Sequence, residues 1–238
     1  MGRTATVLAV RSSADSGPGR WGRWLSQGGV EVETVRADAG APVPRRLAHS
    51  ALLVLGGGCL PDDDERAPWL AATRELMRQA LADGVPVFGI CLGGQMLAQV
   101  AGGRVAGEHG APEFGSTVLT MRPEAGRDPL FQGLPEHPSA LENHVAAIVA
   151  LPAGAHWLAG SERCPYQAFR VGEAAWGVQF HPEAGPERIR RWSEERLRRH
   201  GMDRAELHRV AAERDPATAR TWREVALRFA TRVRQHRT

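Results

Sequence analysis

Residues 85–98 read VPVFGICLGGQMLA, a stretch in which one secondary-structure pattern gives way to another. The apolar run that ends at Ile90 has the composition of a β-strand, and a helical pattern begins at Leu92. The sequence therefore predicts a sharp turn at Cys91, between the strand and the helix. Gly89 and Gly93 lack the Cβ atoms that would clash in such a turn, so the backbone can adopt the strained conformation of a nucleophile elbow.

Cys91 occupies the corner between this predicted strand and helix. Backbone N–H groups and the dipole at a helix N-terminus lower the pKa of a thiol and favour the thiolate, which is its reactive form. Free cysteine is also among the residues most often buried, so a structural thiol is the alternative interpretation. The glycines on both sides of the corner favour the nucleophile.

Strand patterns alternate with helical patterns through the first half of the chain. Strands are predicted at 4–10, 30–36, 52–55 and 85–90, and helices at 21–27 and 68–82. This alternation indicates an α/β fold with an open, mainly parallel, flavodoxin-like sheet and helices on both of its faces. Functional groups collect beyond the carboxyl ends of such strands, so the glycines at 56–58 should lie near Cys91.

The second half of the chain contains shorter strand patterns, at 116–121, 156–160, 167–171 and 175–180. The last of them leads into His181-Pro182-Glu183, where a proline separates two ionisable side chains. An imidazole can act as the base for a cysteine nucleophile, and a nearby carboxylate can fix its tautomer. An ordinary turn at a strand end is the alternative when these residues are considered without Cys91.

From residue 186 onward the pattern is helical, with breaks predicted at Gly201 and at Asp215-Pro216. We expect a domain of residues 1–185 and a helical C-terminal extension, residues 186–238, packed on it. The extension holds fifteen Arg and eight Asp or Glu. Because the acids are interspersed with the arginines, the composition favours a solvated helical face with ion pairs over a surface that binds nucleic acid.

Two motifs, taken in order, identify a family resemblance. Gly89-Ile-Cys91-Leu-Gly93-Gly-Gln95, followed by Gln179-Phe-His181-Pro-Glu183, resembles class I (triad-type) glutamine amidotransferases. The match is closest to free-standing proteins similar to the amidotransferase domain of GMP synthetase. Other segments match in the right order, so that the resemblance runs through residues 1–185; they include Leu55-Gly56-Gly57, Asp128-Pro-Leu-Phe131 and Cys164-Pro-Tyr-Gln167-Ala-Phe-Arg170-Val-Gly172.

The resemblance implies hydrolysis of the side-chain amide of glutamine to glutamate and ammonia through a cysteine γ-glutamyl thioester. Cys91 would be the nucleophile and His181 the base and then the acid. Glu183 would orient the imidazole of His181. The resemblance implies neither a cofactor nor a metal ion.

The resemblance also implies how the substrate would be held. Backbone N–H groups of Gly57 and Leu92 would form the oxyanion hole, and Gln95 would help to shape the glutamine pocket. Two departures from the family pattern concern the same region. Gly58 stands where many relatives have proline, and Ala146 stands where relatives often carry an acid.

The sequence leaves the fate of the ammonia open. It contains no recognisable ATP-binding loop or second catalytic domain, so the chain cannot itself drive an amination with ATP. Three functions therefore stand: a glutaminase serving a separately encoded ammonia-using synthetase, a γ-glutamyl hydrolase or peptidase acting on another γ-glutamyl compound, and a catalytically silent binding subunit.

Composition bounds the setting in which the protein acts. No apolar stretch approaches the length of a membrane span, and the N-terminus lacks a signal-peptide pattern. Cys59, Cys91 and Cys164 have no metal-ligand spacing, and Cys59 and Cys164 are expected to be structural thiols. We therefore expect a cytoplasmic protein with a small-molecule substrate and neither nucleic acid nor membrane as a partner. The sequence leaves a homodimer open.

Overall fold

A computed structural model describes residues 4–108, 110 and 112–236 of the 238-residue chain. The first three residues, and the last two of the predicted extension, lie outside the described part. The strands are β1 (Ala5–Arg11), β2 (Val30–Arg36), β3 (Ala51–Val54), β4 (Val87–Ile90), β5 (Arg104–Ala106), β6 (Glu113–Val118), β7 (Thr120–Met121), β8 (Ser139–His144), β9 (Ala147–Ala150), β10 (His156–Gly160), β11 (Ala168–Val171) and β12 (Ala175–Val178). The α-helices are α1 (Gly19–Gln27), α2 (Trp69–Ala82), α3 (Leu92–Val100), α4 (Glu194–Arg199) and α5 (Arg204–Gln235).

Eight strands form one mixed sheet in the order β2-β1-β3-β4-β12-β11-β10-β7. The first five strands are parallel to one another, and β11, β10 and β7 continue the sheet by antiparallel pairing that begins at β12. Two small antiparallel pairs, β5 with β9 and β6 with β8, lie outside this sheet. The predicted α/β fold with a mainly parallel sheet is confirmed. The patterns did not indicate β5, β8 or β9.

Helices cover both faces of the large sheet, as predicted. Side chains of α1 and α5 share one apolar core with the sheet, and those of α2 and α3 share the other. Because the parallel strands carry helices on both sides, every residue of β3, β4 and β12 and the middle four residues of β1 are buried. Within the described residues, every helix is too short or too polar to cross a lipid bilayer.

The apolar side of α5 belongs to the main core. The ring of Phe229 packs with its centroid 5.5 Å from that of Phe88 in β4 and 6.1 Å from that of Trp176 in β12. Trp222 packs 4.4 Å from Phe180, and its indole N–H donates to the carbonyl of Ser139 at 2.9 Å. The long helix is thus held by aromatic contacts with the central strands.

The predicted boundary at Asp215-Pro216 is wrong, because α5 runs through it without interruption. Proline removes one backbone N–H donor from the helix, but a side-chain contact beside it ties this part of α5 to α1. The guanidinium of Arg20 donates to both carboxylate oxygens of Asp215, at 2.6 and 2.9 Å. The predicted break at Gly201 is confirmed, since this glycine has a φ of 69° between α4 and α5.

The start of α3 lies directly against the sheet. A Cβ atom on Gly93 would overlap the carbonyl oxygen of Val54 in β3, and one on Gly94 would lie 2.5 Å from the carbonyl oxygen of Val178 in β12. Two consecutive glycines therefore allow the first turn of α3 to approach two strands at backbone distance.

This close approach predicts that Gly93→Ala destabilises the protein by about 3 kcal/mol or more, because the backbone of β3 cannot move away from the added methyl group. Chemical denaturation measures the change in the free energy of unfolding. Gly126→Ala is the matched control, since a Cβ atom there meets nothing within 4 Å. Equal effects of the two substitutions would contradict the close approach.

The aromatic contacts of α5 predict that Phe229→Ala costs about 3–5 kcal/mol, because it leaves a cavity between α5 and the sheet. Arg220→Ala on the exposed side of the same helix should change the free energy of unfolding by less than about 0.5 kcal/mol. Thermal and denaturant unfolding check both values. A cost at Phe229 no larger than that at Arg220 would mean that α5 is not part of the core.

Candidate active site

Cys91 lies at the corner between β4 and α3 with φ 52° and ψ −107°. Among the described residues it is the only non-glycine residue with a positive φ. Its N–H donates to the carbonyl of Val178 at 2.8 Å, and its carbonyl accepts from the N–H of Gln95 at 2.9 Å. The strained corner predicted from the flanking glycines is confirmed. Strain of this kind persists where the surrounding structure holds it, and it is concentrated at functional sites.

His181 and Glu183 follow the end of β12 and meet through their side chains. The Nδ1–H of His181 donates to Oε1 of Glu183 at 2.8 Å, and both residues are at least 95% buried. The backbone N–H of His181 donates to the carbonyl of Leu141 at 2.8 Å. With Nδ1 engaged, Nε2 is the ring atom free for proton transfer, and it has no hydrogen-bond partner among the described residues.

The glycines after β3 lie beside both Cys91 and His181. A Cβ atom on Gly56 would lie 2.9 Å from Cε1 of His181 and 3.5 Å from Cβ of Cys91. The imidazole and the thiol therefore flank the same point at the carboxyl ends of the central strands. The predicted proximity of the glycine run to Cys91 is confirmed.

Burial and charge act in opposite directions on the pKa values of these side chains. Burial raises the pKa of the Cys91 thiol, but the positive charge of His181 outweighs burial and holds that pKa below its ordinary value. Burial disfavours the charged imidazole, but Glu183 and Cys91 together raise the pKa of His181 to about 10. Burial likewise opposes ionisation of Glu183, and His181 and Arg188 keep the pKa of that carboxyl low. The three side chains thus favour thiolate, imidazolium and carboxylate together.

Gly57 and Leu92 lie next to this arrangement. A Cβ atom on Gly57 would lie 2.7 Å from Cδ2 of Leu92, so the two residues are in close contact. Leu92 is the first residue of α3, where the N–H has no intrahelical acceptor. Within the described part of the chain, neither N–H donates to another backbone group.

Gln95 lies beneath Cys91, one turn into α3, with its side chain buried. Its Nε2 donates to the carbonyl of Ala146 at 3.0 Å and to Oε1 of Gln179 at 3.2 Å. Nε2 of Gln179 in turn lies 3.8 Å from Sγ of Cys91. The described residues that line the cavity above Cys91 do not include Gln95. A role for Gln95 in the glutamine pocket stays a prediction. Its observed contacts link it to Sγ of Cys91 only through the side chain of Gln179.

A cavity of about 430 Å³ opens above Cys91 and His181. One wall is the loop after β1, and another is the glycine run at 56–58. A third wall comes from residues 184–197 and includes Arg191, Trp192 and Arg196. Sequence reasoning identified only the glycine wall, because the loop after β1 carries no recognisable motif and the third wall belongs to the predicted extension.

A second buried group of polar side chains surrounds His144. Its Nε2 lies 3.2 Å from Oε2 of Glu113 and 3.3 Å from Oε2 of Glu142. Its Nδ1–H donates to the carbonyl of Ala146 at 3.1 Å. Burial disfavours the charged ring, but the two carboxylates raise the pKa of His144 to about 10. This imidazolium adds a smaller contribution that lowers the pKa of the Cys91 thiol.

Glu113, His144 and Cys164 bring potential metal-ligand atoms within 4.8 Å of one another. Both carboxylate oxygens of Glu113 already accept hydrogen bonds, from the hydroxyl of Ser161 at 2.7 Å and the amide of Gln167 at 2.7 Å. Burial raises the pKa of the Cys164 thiol far above its ordinary value, which disfavours the thiolate that a metal would need. These contacts describe a hydrogen-bonded network better than a metal site.

Ala146, two residues beyond His144, stands at the position where the family pattern often has an acid. The acids beside His144 come from elsewhere: Glu142 precedes it by two residues on the same face of β8, and Glu113 is its cross-strand partner in β6. In a strand, residues two apart share a face, so recognition of β8 would have predicted that Glu142 lies beside His144. The pairing with Glu113 could not be predicted from the local sequence, because Glu113 lies in another strand.

Residues 22–193 match the family model described as glutamine amidotransferase class-I. A glutamine amidotransferase crystal structure from Thermotoga maritima is similar with a TM-score of 0.85 and 25% identity, covering 96% of this chain and 99% of that chain. One from Methylobacillus flagellatus has a TM-score of 0.84 and 29% identity, covering 97% and 96%. The glutamine-hydrolysing GMP synthase of Streptococcus thermophilus is 40% identical over 103 residues, which is 42% of this chain and 19% of that relative's own length. Because the family match extends over most of its length, the chain belongs to the class-I glutamine amidotransferases.

Proposed function

We propose that the protein hydrolyses the side-chain amide of glutamine to glutamate and ammonia. The observation that carries the proposal is the meeting of the Cys91 corner with the buried His181–Glu183 pair at one end of the sheet. A thiol, a base and an orienting acid are the groups that acyl transfer through a covalent thioester requires. Membership of the family supports the choice of glutamine as the acyl donor.

In the proposed reaction, the sulfur of Cys91 attacks the amide carbon and its proton resides on His181. His181 then gives that proton to the departing nitrogen, which leaves as ammonia, and a γ-glutamyl thioester remains. Water, deprotonated by His181, attacks the thioester, glutamate leaves and the thiol is restored. Glu183 keeps the imidazole in the tautomer that presents Nε2 to the sulfur.

The N–H groups of Gly57 and Leu92 are the proposed oxyanion hole. Negative charge develops on the former amide oxygen as the sulfur attacks, and free backbone donors stabilise it. Loss of one such donor typically costs about 3 kcal/mol in the transition state. The helix dipole of α3 acts in the same direction, because Leu92 stands at its N-terminus.

We further propose that residues 1–185 form the amidotransferase domain and that residues 186–238 are an extension of it. The shared core of α5 with β4 and β12 supports packing of the extension on the domain. A reducing compartment is the proposed setting, since Cys91 must be a free thiol to act and the three cysteines form no disulfide. Such a setting is the cytoplasm.

The ammonia is proposed to serve a separately encoded synthetase. The GMP synthases that the chain resembles are glutamine-hydrolysing by name, and the matched 103 residues cover 19% of the length of the S. thermophilus protein. The sequence carries no recognisable phosphate-binding loop of its own. An ammonia-using partner would therefore have to supply the ATP-dependent step.

One observation favours a second candidate, a γ-glutamyl hydrolase or peptidase. The cavity of about 430 Å³ is in the size range that takes drug-sized ligands, and a free amino acid is far smaller. A panel of glutamine and γ-glutamyl peptides separates the two, with glutamate release as the common readout. Faster turnover of the γ-glutamyl peptides than of glutamine would favour a γ-glutamyl hydrolase or peptidase over a glutaminase. No turnover of any of them would support a silent binding subunit.

Cys91→Ala should abolish glutamine turnover, with a loss of roughly 10⁴-fold or more, because no thioester can form. Ammonia release from glutamine measures the activity, and circular dichroism checks that the fold is kept. Cys59→Ala is the matched control and should retain activity, since Cys59 does not line the cavity. Residual turnover in Cys91→Ala near the wild-type rate would exclude the proposed chemistry.

Alkylation of Cys91 by iodoacetamide should reach half its maximal rate below pH 9.0, the ordinary pKa of a thiol, because His181 stabilises the thiolate. The rate should rise with pH through that midpoint and then level off. His181→Ala should move the midpoint upward, since the burial that raises the thiol pKa remains and the positive charge is gone. Peptide mass spectrometry isolates the Cys91 signal. A wild-type midpoint at or above 9.0 would contradict the coupling.

A further inference from the structure

The carboxylate of Glu183 has a second cationic partner besides His181. Its Oε1 accepts from Nδ1 of His181 at 2.8 Å and from Nη1 of Arg188 at 3.3 Å. Glu183 is 2% exposed, and the side chain of Arg188 is 20% exposed. Among the described residues, Arg188 is the only arginine within ion-pair distance of this carboxylate.

Arg188 lies on a 3₁₀ helix, Pro186–Arg191, that directly follows the loop of Glu183. Ile189 anchors this helix in a small apolar cluster with Leu141 and Ala211 of α5. The guanidinium of Arg204, at the start of α5, donates to the carbonyls of residues 190 and 192 on the other side of it. The first two turns of α5 thus fix the segment that presents Arg188 to the carboxylate of Glu183.

A second connection ties α5 to the same loop. The side chain of Arg20 binds Asp215 of α5 with two hydrogen bonds, and its backbone N–H donates to the carbonyl of Glu183 at 2.9 Å. The loop of Glu183 is therefore held from α1 as well as from α5. Arg20 and Asp215 lie outside the two motifs that contain Cys91 and His181, so those motifs do not predict these contacts.

We propose that Arg188 is a positioning residue for the Cys91–His181–Glu183 group, acting through Glu183. This inference rests on the proposed function and assigns a role to the predicted extension, which supplies the residue. Arg188 holds Oε1 in place and contributes positive charge beside the carboxylate. The imidazole of His181 then faces an oriented acid whose negative charge is partly neutralised.

The charge of Arg188 extends to the thiol. The ionisable groups that act on His181 and Cys91 are Glu183 and Arg188, together with His144 and Glu142 from β8; burial raises the pKa of Glu142 and so favours its neutral form. Removal of one positive charge makes the surroundings more negative, which raises the pKa of an imidazole and disfavours a thiolate. Both proton equilibria should therefore move to higher pH without Arg188.

The test is the pH dependence of Cys91 alkylation by iodoacetamide in Arg188→Met. We expect the midpoint to rise by about half a pH unit or more relative to the wild type. Arg188→Lys, which keeps the positive charge, should bring the midpoint back toward the wild-type value. Arg190→Met is the matched control on the same 3₁₀ helix; its exposed guanidinium contacts His208 and should leave the midpoint unchanged.

Iodoacetamide is uncharged and reacts without glutamine turnover, so a failure of the proposed function would leave this test intact. A wild-type midpoint in Arg188→Met would overturn the inference, and so would an equal shift in Arg190→Met. Thermal unfolding identifies a variant that does not fold, in which case Arg188→Gln replaces Arg188→Met in the same comparison. An increase in the KM for glutamine with an unshifted midpoint would make Arg188 a substrate-binding residue instead.

Discussion

The contact between the first turn of α3 and the backbones of β3 and β12 is the constraint on which the site depends. Gly93 and Gly94 allow it, since a Cβ atom at either position would meet a strand carbonyl. With the helix pressed against the sheet, the chain must turn from β4 into α3 within one residue, and Cys91 takes the positive φ. The same turn leaves the N–H of Leu92 without a backbone acceptor at the helix N-terminus, so one packing contact fixes both the Cys91 thiol and the free donor that we propose for the oxyanion hole.

Around that corner, buried charges are tolerated only because they are coupled. An isolated carboxylate, imidazolium or thiolate would lose its charge on burial, and the pKa directions show burial opposing each of them. Their mutual attraction reverses that effect for Cys91, His181 and Glu183. The neighbouring Glu113–His144–Glu142 group follows this principle only in part: His144 keeps its charge between two acids, whereas burial raises the pKa of Glu142.

Two parts of this arrangement could be predicted from the sequence, because each depends on residues that are close together along the chain. The glycines flanking Cys91 predicted the strained corner, and the alternating His181 and Glu183 predicted an imidazole–carboxylate pair after a strand. What could not be read depends on contacts between distant segments. Glu113 reaches His144 only through the pairing of β6 with β8, and Arg20 meets Asp215 across 195 positions. The helix boundary predicted at Pro216 was wrong for a related reason: proline locally favours the end of a helix, but tertiary contacts keep α5 continuous through it.

The most direct test of the account is covalent capture of the nucleophile. A glutamine analogue with an electrophilic carbon in place of the side-chain amide carbon would be incubated with the protein and the products mapped by peptide mass spectrometry. The account predicts one adduct, on Cys91, that glutamine protects against and that forms far more slowly in His181→Ala. Labelling that spares Cys91, or that occurs equally at Cys59, would contradict it.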